Sequence, residues 1–299
     1  MLIEGTITYW DPSWRLAFLQ DRTGGIRLPA ALFSDPIFLL GRHLEIRGLV
    51  RTGGQEPILA ETEVRILETA EAIAPATVRL RDLQNGKYPY RLVRIQGVVQ
   101  LADPNVGGRY RLNVATPDGQ AVVWVADAMD RELQQLVDAE VTVTGIVDRP
   151  ESGSPRGKVK IWARTADDLQ IVRPSAAVES LPLTSAKTLS GLSERSSLHR
   201  LHLRGHLQFD ADQGALTFHD ASGTLKAVPE SGESNFGNAD QDVYGFLSRE
   251  AGAEILSGMI SRASSEAGGD ATGPPAILQK VREIHALRLE DASKKLRVQ

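Results

Sequence analysis

The sequence predicts a mainly β protein: three barrels of five short strands in tandem, joined by short helical connectors. Three observations predict it. The chain matches itself three times when laid out on Gly5, Gly97 and Gly205, and such internal similarity marks a repeated structural unit. Each copy contains alternating apolar and polar residues on either side of a turn, as in "RLAFLQDRTGGIRLPAA" from Arg15 and "GALTFHDASGTLKAV" from Gly214. That is the mark of a hairpin of half-buried strands. Each copy then adds two more strands after a brief intervening segment. Five strands on this spacing, with a helical or irregular piece between the third and fourth, follow the plan of an OB-like barrel.

The first strands read "LIEGTITYWDP", "RIQGVVQLADP" and "LRGHLQFDAD". Ile3, Ile95 and Leu203 coincide, as do Ile7, Val99 and Leu207, and Asp11-Pro12 falls on Asp103-Pro104. A glycine inside a strand leaves room for the tight curvature or close backbone approach of a small barrel. In the hairpins after these strands, Gln20-Asp21 coincides with His219-Asp220, each just before the glycines of the turn, Gly24-Gly25 and Gly223. A short polar side chain there accepts backbone N–H bonds and sets the turn. The second copy carries Ala115-Thr116 at this place, followed by Gly119.

The segment before the fourth strand is "ALFSDPIFLLG" in the first copy and "AMDRELQQLVD" in the second. Fourth strands "HLEIRGLV", "EVTVTGIV" and "QDVYGFL" share Gly48, Gly145 and Gly245, and fifth strands read "PILAETEVRIL", "KVKIWARTADDLQIV" and "EILSGMISRAS". The third copy diverges between Val228 and Asp242, where the polar stretch "PESGESNFGNA" replaces the usual segment. From Ser264, "SSEAGGDATGPPA" has a flexible linker's composition.

Three connectors place an apolar residue three before a leucine: Leu80/Leu83, Leu189/Leu192 and Ile284/Leu287. That spacing suits one helical turn packed on a neighbour. The expected organisation is repeat one over 1–70, connector plus repeat two over 71–175, and connector plus the divergent repeat three over 176–275. Residues 276–299 read as a connector and the first strand of a fourth copy, with Val298 where Ile95 and Leu203 stand. The expectation is a piece of a longer protein.

Composition narrows the function classes. No apolar run approaches the ~20 residues needed to cross a bilayer, and "MLIEGTITYW" shows neither the basic nor the apolar region of a signal segment. Zero cysteines exclude disulfides and thiolate metal sites. Seven basic side chains stand against nine acidic ones in 1–70, fourteen against thirteen in 71–175 and thirteen against sixteen in the remainder. No third has the strongly basic footprint of a nucleic-acid binder.

Candidate chemistry is scarce. His199, His202 and His206 would share a metal only on a helix, whereas the alternation Leu201, Leu203, Leu207 argues for a strand. His202 and His206 then share a face but lie about 13 Å apart, so they read as solvent-facing residues. "GSPRGKV" from Gly153 fails as a phosphate loop because three residues, not four, precede Gly-Lys and Val159 follows it. Gly53-Gly54-Gln55 occupies the same hairpin tip in the first copy. Asp167 and Asp168 are adjacent, so on a strand they point to opposite faces. No nucleophile motif is present, and the expectation is no catalytic residue, no metal and no cofactor. Aromatic residues are the more informative surface. Trp10, Trp14, Tyr110 and Trp124 are the candidate ligand contacts, while Phe18, on an alternating strand, reads as core.

The series Gly-x-(Ile/Val)-x-Tyr-x-Asp-Pro, Phe-(Leu/Val)-Gln-Asp-x-Thr-Gly-Gly-Ile and the Leu-x-x-Leu connectors resembles the tandem OB-like repeats in the extracytoplasmic region of bacterial membrane-bound sensor histidine kinases. The resemblance covers nearly the whole chain and is closest in "GTITYWDPSWRLAFLQDRTGGIRL". It implies a non-catalytic sensory or scaffold module, periplasmic or extracellular, anchored to the membrane only through the parent protein. Its ligand would be a small molecule or a protein, and the resemblance carries over no ligand residues. Two rival readings stand beside it. One is a single-stranded nucleic-acid binder, supported by Arg91, Arg94, Arg109 and Arg111 but disfavoured by the charge counts. The other is an oligosaccharide-binding module using Trp10 and Trp14.

Overall fold

The first strand of every copy carries a glycine where no side chain fits. A Cβ on Gly5 would lie 2.9 Å from the Gln20 oxygen, on Gly97 2.5 Å from that of Ala115, and on Gly205 2.1 Å from that of His219. These three carbonyls occupy the same place in the three second strands, so the glycine alignment is a spatial equivalence. The structure is a computed structural model and describes residues 1–29, 40–51, 58–67, 73–105, 109–127, 133–148, 159–192, 196–210, 215–229, 239–250 and 253–263. Gly53-Gly54-Gln55, the Gly153–Lys158 loop, the polar insert of the third copy, and the last connector with Ile284, Leu287 and Val298 lie outside the described residues.

The first copy contributes β1 (Leu2–Asp11), β2 (Leu16–Gln20), β3 (Gly25–Arg27), β4 (His43–Arg51) and β5 (Ile58–Leu67), in the order β3-β2-β1-β4-β5. Among the described residues, β3 and β5 do not pair. After β6 (Ala76–Thr77) and α1 (Leu80–Gln84), the second copy contributes β7 (Leu92–Asn105), β8 (Arg109–Thr116), β9 (Gly119–Asp127), β10 (Glu140–Val147) and β11 (Val159–Thr165). Here the sheet closes: β7 pairs with β8 and β10, and β9 runs parallel to β11.

Beyond β12 (Leu169–Arg173), the third copy starts at β13 (Leu183–Thr184) and closes the same way with β14 (Arg200–Asp210), β15 (Ala215–Asp220), β16 (Gly223–Pro229), β17 (Gln241–Glu250) and β18 (Ala253–Ala263). Its closure is again a parallel pair, β16 with β18, and β14 pairs with β17. The chain is thus mainly β, with two closed five-stranded barrels of OB-like order. It divides into two compact units, Met1–Ser175 and Ala176–Gln299, so the first two copies share one unit.

Two details depart from the sequence expectation, and a third, the second given, adds to it. The fifth-strand run of the second copy is not one strand. A single 3-10 turn at Ala166–Asp168 breaks it, capped by Thr165 and Asp168, and β12 then pairs with β10. Asp167 and Asp168 therefore sit on a turn; Asp168 is buried and accepts from the Arg164 backbone and guanidinium.

The two connectors within the described residues, secondly, pack into the barrels that come after them in the chain. Leu80 and Leu83 of α1 join Val99, Val123, Val143 and Ile161 in the second core. In the third copy a 3-10 helix, Ala186–Gly191, places Leu189 in the same role. Both of these connectors also dock on the turn between strands two and three of the barrel. Gln84 Nε2 donates to the Asp118 oxygen (3.3 Å), and the Ala186 N–H donates to Asp220 Oδ2 (2.7 Å).

Lastly, β2 is buried from Leu16 to Gln20 on both faces, not half-buried. Ala17 and Leu19 fill the first core, while Leu16 and Phe18 join a separate cluster shared with the second barrel.

Candidate functional site

An aspartate ahead of the glycine turn fixes the hairpin in the first and third copies. Asp21 Oδ1 accepts from the N–H groups of Thr23 (2.8 Å) and Gly24 (2.7 Å), and Asp220 Oδ1 accepts likewise from Ser222 (2.7 Å) and Gly223 (2.9 Å). Thr116 performs the weaker hydroxyl version, accepting from Asp118 N–H at 3.2 Å. The neighbours of these aspartates do something else. Gln20 sends its side chain across to the second barrel, where Oε1 accepts from the buried Leu92 N–H at 2.7 Å. His219 lies on the strand face between the hydroxyls of Thr217 and Thr224. Gly24 has open space where a Cβ would stand, but a Cβ on Gly25 would lie 2.0 Å from the Tyr90 oxygen. Neither glycine has left-handed backbone, so Gly25 is fixed by the neighbouring barrel rather than by the turn.

These contacts mark a seam between the sheet of the first copy and the second copy's barrel. Tyr9, Leu16, Phe18, Leu92, Ile146 and Trp162 form its buried centre. Trp14, on the loop between β1 and β2, meets Trp124 edge-on at 5.0 Å and Trp162 at 5.3 Å. Trp124 and Trp162 are register partners on β9 and β11 and stack at 6.3 Å. Tyr90 stacks on Phe18 at 5.6 Å and reaches it from a left-handed backbone, φ 59°. Edge-to-face and offset pairs of this kind contribute about 0.5–1.5 kcal/mol each beyond the area they bury. Phe18 therefore belongs to the seam and not to the core of its own copy.

A charged clasp closes one end. Asp11 Oδ1 accepts from the Ser13 hydroxyl (2.7 Å) and N–H (3.0 Å) and from the Trp14 N–H (3.1 Å). Arg109 of the second barrel pairs with its Oδ2 at 3.0 Å, donates to the Ser13 hydroxyl, and lies 4.8 Å over the Trp14 ring. Burial alone would raise the Asp11 carboxyl, but the bonds from Ser13, Trp14 and Arg109 outweigh it and hold the group below its ordinary range. Burial, reinforced by Asp11 and partly offset by Arg109, pushes the Tyr9 phenol above its ordinary value, so it stays a neutral donor.

Beside the clasp opens a pocket of about 320 Å³, lined by Tyr9, Trp10 and Asp11 from the first copy and Arg109, Asp127 and Arg164 from the second. Of the four aromatic candidates, the structure brings Trp14 and Trp124 together in the seam. Trp10 packs against the first core and lines the pocket, and Tyr110 packs on the second core. Trp14 and Trp124 thus spend their rings on each other and on Trp162. Sequence reasoning missed Trp162 and Tyr90. The signal for Trp162 was present in "VKIWART", where Ile161 and Ala163 point inward and leave a tryptophan on the outer face of a barrel strand.

On the barrel of the third copy the outer face of β14–β16 is polar. His206 and His219 are register partners and stack at 5.0 Å, and Lys226 is exposed nearby on β16. His202, read from sequence as solvent-facing, instead lies between the Leu181 oxygen (3.1 Å) and Asp242 Oδ1 (2.9 Å), because the connector folds back over β14. Among the described residues no group of three His, Asp or Glu side chains is arranged to hold a metal ion.

No family model and no curated protein matches the chain. Among solved structures, it is similar to a murine DNA-binding protein bound to double-stranded DNA, at 13% identity and a TM-score of 0.29, covering 59% of this chain and 100% of that one. A replication protein A heterotrimer bound to single-stranded DNA matches at 9% identity and a TM-score of 0.26, covering 96% of each chain. An aspartyl-tRNA synthetase from Entamoeba histolytica matches at 15% identity and a TM-score of 0.23 over 30% of this chain, which spans only 20% of the synthetase. At TM-scores this low, the likenesses carry no argument about what the chain binds.

Proposed function

We propose that this chain is a non-catalytic binding module that takes a small ligand where its first two copies meet. On this reading it serves as the extracytoplasmic input region of a larger receptor, the class its repeats resemble. The observation in support is the position of the pocket, whose walls come from both copies. A ligand seated there touches both and biases how they pack, and an input region works by such a differential interaction with two arrangements. Ala126 also lines the pocket, so Ala126→Trp fills it. Thermal-shift screening of the intact chain against neutral sugars, sugar acids, amino acids and inorganic phosphate tests the reading. A stabilising compound should lose its effect in Ala126→Trp; stabilisation that survives the substitution would move the site elsewhere.

The second reading is a single-stranded nucleic acid laid on the barrel of the third copy, favoured by the uncovered face that carries His206, His219 and Lys226. In the first two copies three candidate cations are already paired, Arg109 with Asp11, Arg111 with Asp103 and Arg164 with Asp168, while Arg91 lies over Tyr88. A fluorescence titration with a single-stranded oligonucleotide at low and moderate salt separates the two. Micromolar binding that weakens with salt and is lost in Lys226→Glu would favour the nucleic-acid reading.

A further inference from the structure

We infer that His202 is a proton-operated latch: its doubly protonated ring fastens the chain entering the third copy onto β14 and β17, and loss of one proton releases it. Two acceptors facing one ring carry the inference. Nδ1 lies 3.1 Å from the Leu181 carbonyl oxygen, and Nε2 lies 2.9 Å from Asp242 Oδ1. A carbonyl oxygen can only accept. Asp242 is a carboxylate too: burial alone would raise it, but the bonds from Arg204 and His202 hold it below its ordinary range. Both ring nitrogens must therefore donate, and of the forms of histidine only the imidazolium has two N–H groups.

Water has little room to stand in for either partner, since the His202 side chain is 13% exposed and that of Asp242 12%. The charged and titratable groups against the ring are Asp242 and Tyr244 of β17 and Arg204 of β14, while the incoming chain presents the Leu181 oxygen. Tyr244, the register partner of His202, stacks on it at 4.6 Å and fixes its plane. Arg204 shares Asp242 Oδ1 at 2.9 Å and opposes a second cation, whereas the two acceptors and the aromatic face favour one.

When one proton leaves, Asp242 keeps the N–H on Nε2, because a bond to a charged acceptor is the stronger. Nδ1 then turns a lone pair toward the Leu181 oxygen, and attraction becomes repulsion. Among the described residues this stretch is otherwise lightly held. β13 pairs with β14 at Leu183 with His202 and at Thr184 with Leu203, and Leu183 is 56% exposed. The latch is thus closed at acid pH and opens as pH rises through the ordinary histidine range, about 6.5. The second compact unit begins at Ala176, so proton loss lengthens the free run of chain ahead of the barrel of the third copy.

Hydrogen exchange of the intact chain at about pH 5 and about pH 8, corrected for the intrinsic pH dependence of exchange, tests the inference. Protection over residues 181–184 should be about tenfold or more greater at the lower pH. The amides of β15 and β16 should show no such difference, because an end segment opens and the core does not. His202→Gln, which keeps a donor and an acceptor without a titrating ring, should remove the difference. His206→Gln, on the outer face, should leave it. Nitrogen-15 spectra of the unsubstituted chain give a second readout, with the His202 ring assigned through its contact with Tyr244. Both its nitrogens should carry a proton at the lower pH, and Nε2 alone at the higher. Equal protection at the two pH values, a difference that survives His202→Gln or vanishes in His206→Gln, or a singly protonated ring at the lower pH would each overturn the latch.

Discussion

Gly25 shows how one missing methyl group can join two copies. Its Cβ would meet the Tyr90 carbonyl at 2.0 Å, and backbone cannot retreat from such a contact as a flexible side chain can. Gly25→Ala should therefore lower stability by about 1–3 kcal/mol, the range for overpacking a tight site. Gly24→Ala, with open space around it, should change stability by less than ~0.5 kcal/mol. Urea unfolding of both variants checks the contrast, and equal effects would show that the two glycines serve the turn alike. The two positions also show what is legible in a sequence. Asp21 and Asp220 are readable because an aspartate bonds N–H groups two and three residues along its own chain. Gln20 and Gly25 are not, because their partners Leu92 and Tyr90 belong to another copy, and local sequence says nothing about which copy faces which.

The hydrophobic spacing of the connectors specifies a helical turn but not its owner. The i, i+3 leucines announce something to bury. That α1 closes the second barrel, ahead of which it lies in the chain, follows from the short strand β6, which pairs parallel with β7 and fixes where the helix begins. Leu83 is wholly buried in that core, so Leu83→Ala should cost about 2–5 kcal/mol, read as a lower midpoint in urea. A loss within ~0.5 kcal/mol, the level of a surface change, would mean that α1 does not plug the barrel. The broken fifth strand of the second copy was hidden for a related reason. "ARTADDLQ" alternates well enough to pass for a strand, and only the reciprocal bonds of Thr165 and Asp168 turn it into a cap.

Among the described residues, carboxylates hold loops or neighbouring strands in place in both compact units. Asp11 and Asp21 do so in the first, Asp220 and Asp242 in the second. Burial alone would raise each of them, but hydrogen bonds from neighbouring N–H, hydroxyl or guanidinium groups outweigh it and hold each below its ordinary range. A carboxyl whose folded pKa is depressed contributes stability that is complete above its unfolded value, about 3.9, and is lost as pH falls through the folded value. The melting temperature should therefore be level from neutral pH to about pH 5 and should fall below about pH 4. A thermal melt series that stays flat to about pH 2.5 would show that these bonds contribute little.

At the same scale, the strand order of each copy was open to reading, since turns and alternation are local. The pressing of one copy's aromatic flank on the next was not. That flank also bears on how such a protein is assembled over generations. With Leu16, Phe18 and Tyr9 turned outward, the opening copy has no wettable side of its own there, and a gene fragment encoding it alone would transplant a greasy wound. The pair, rather than the single copy, is the smallest piece that can be shuffled into another protein intact.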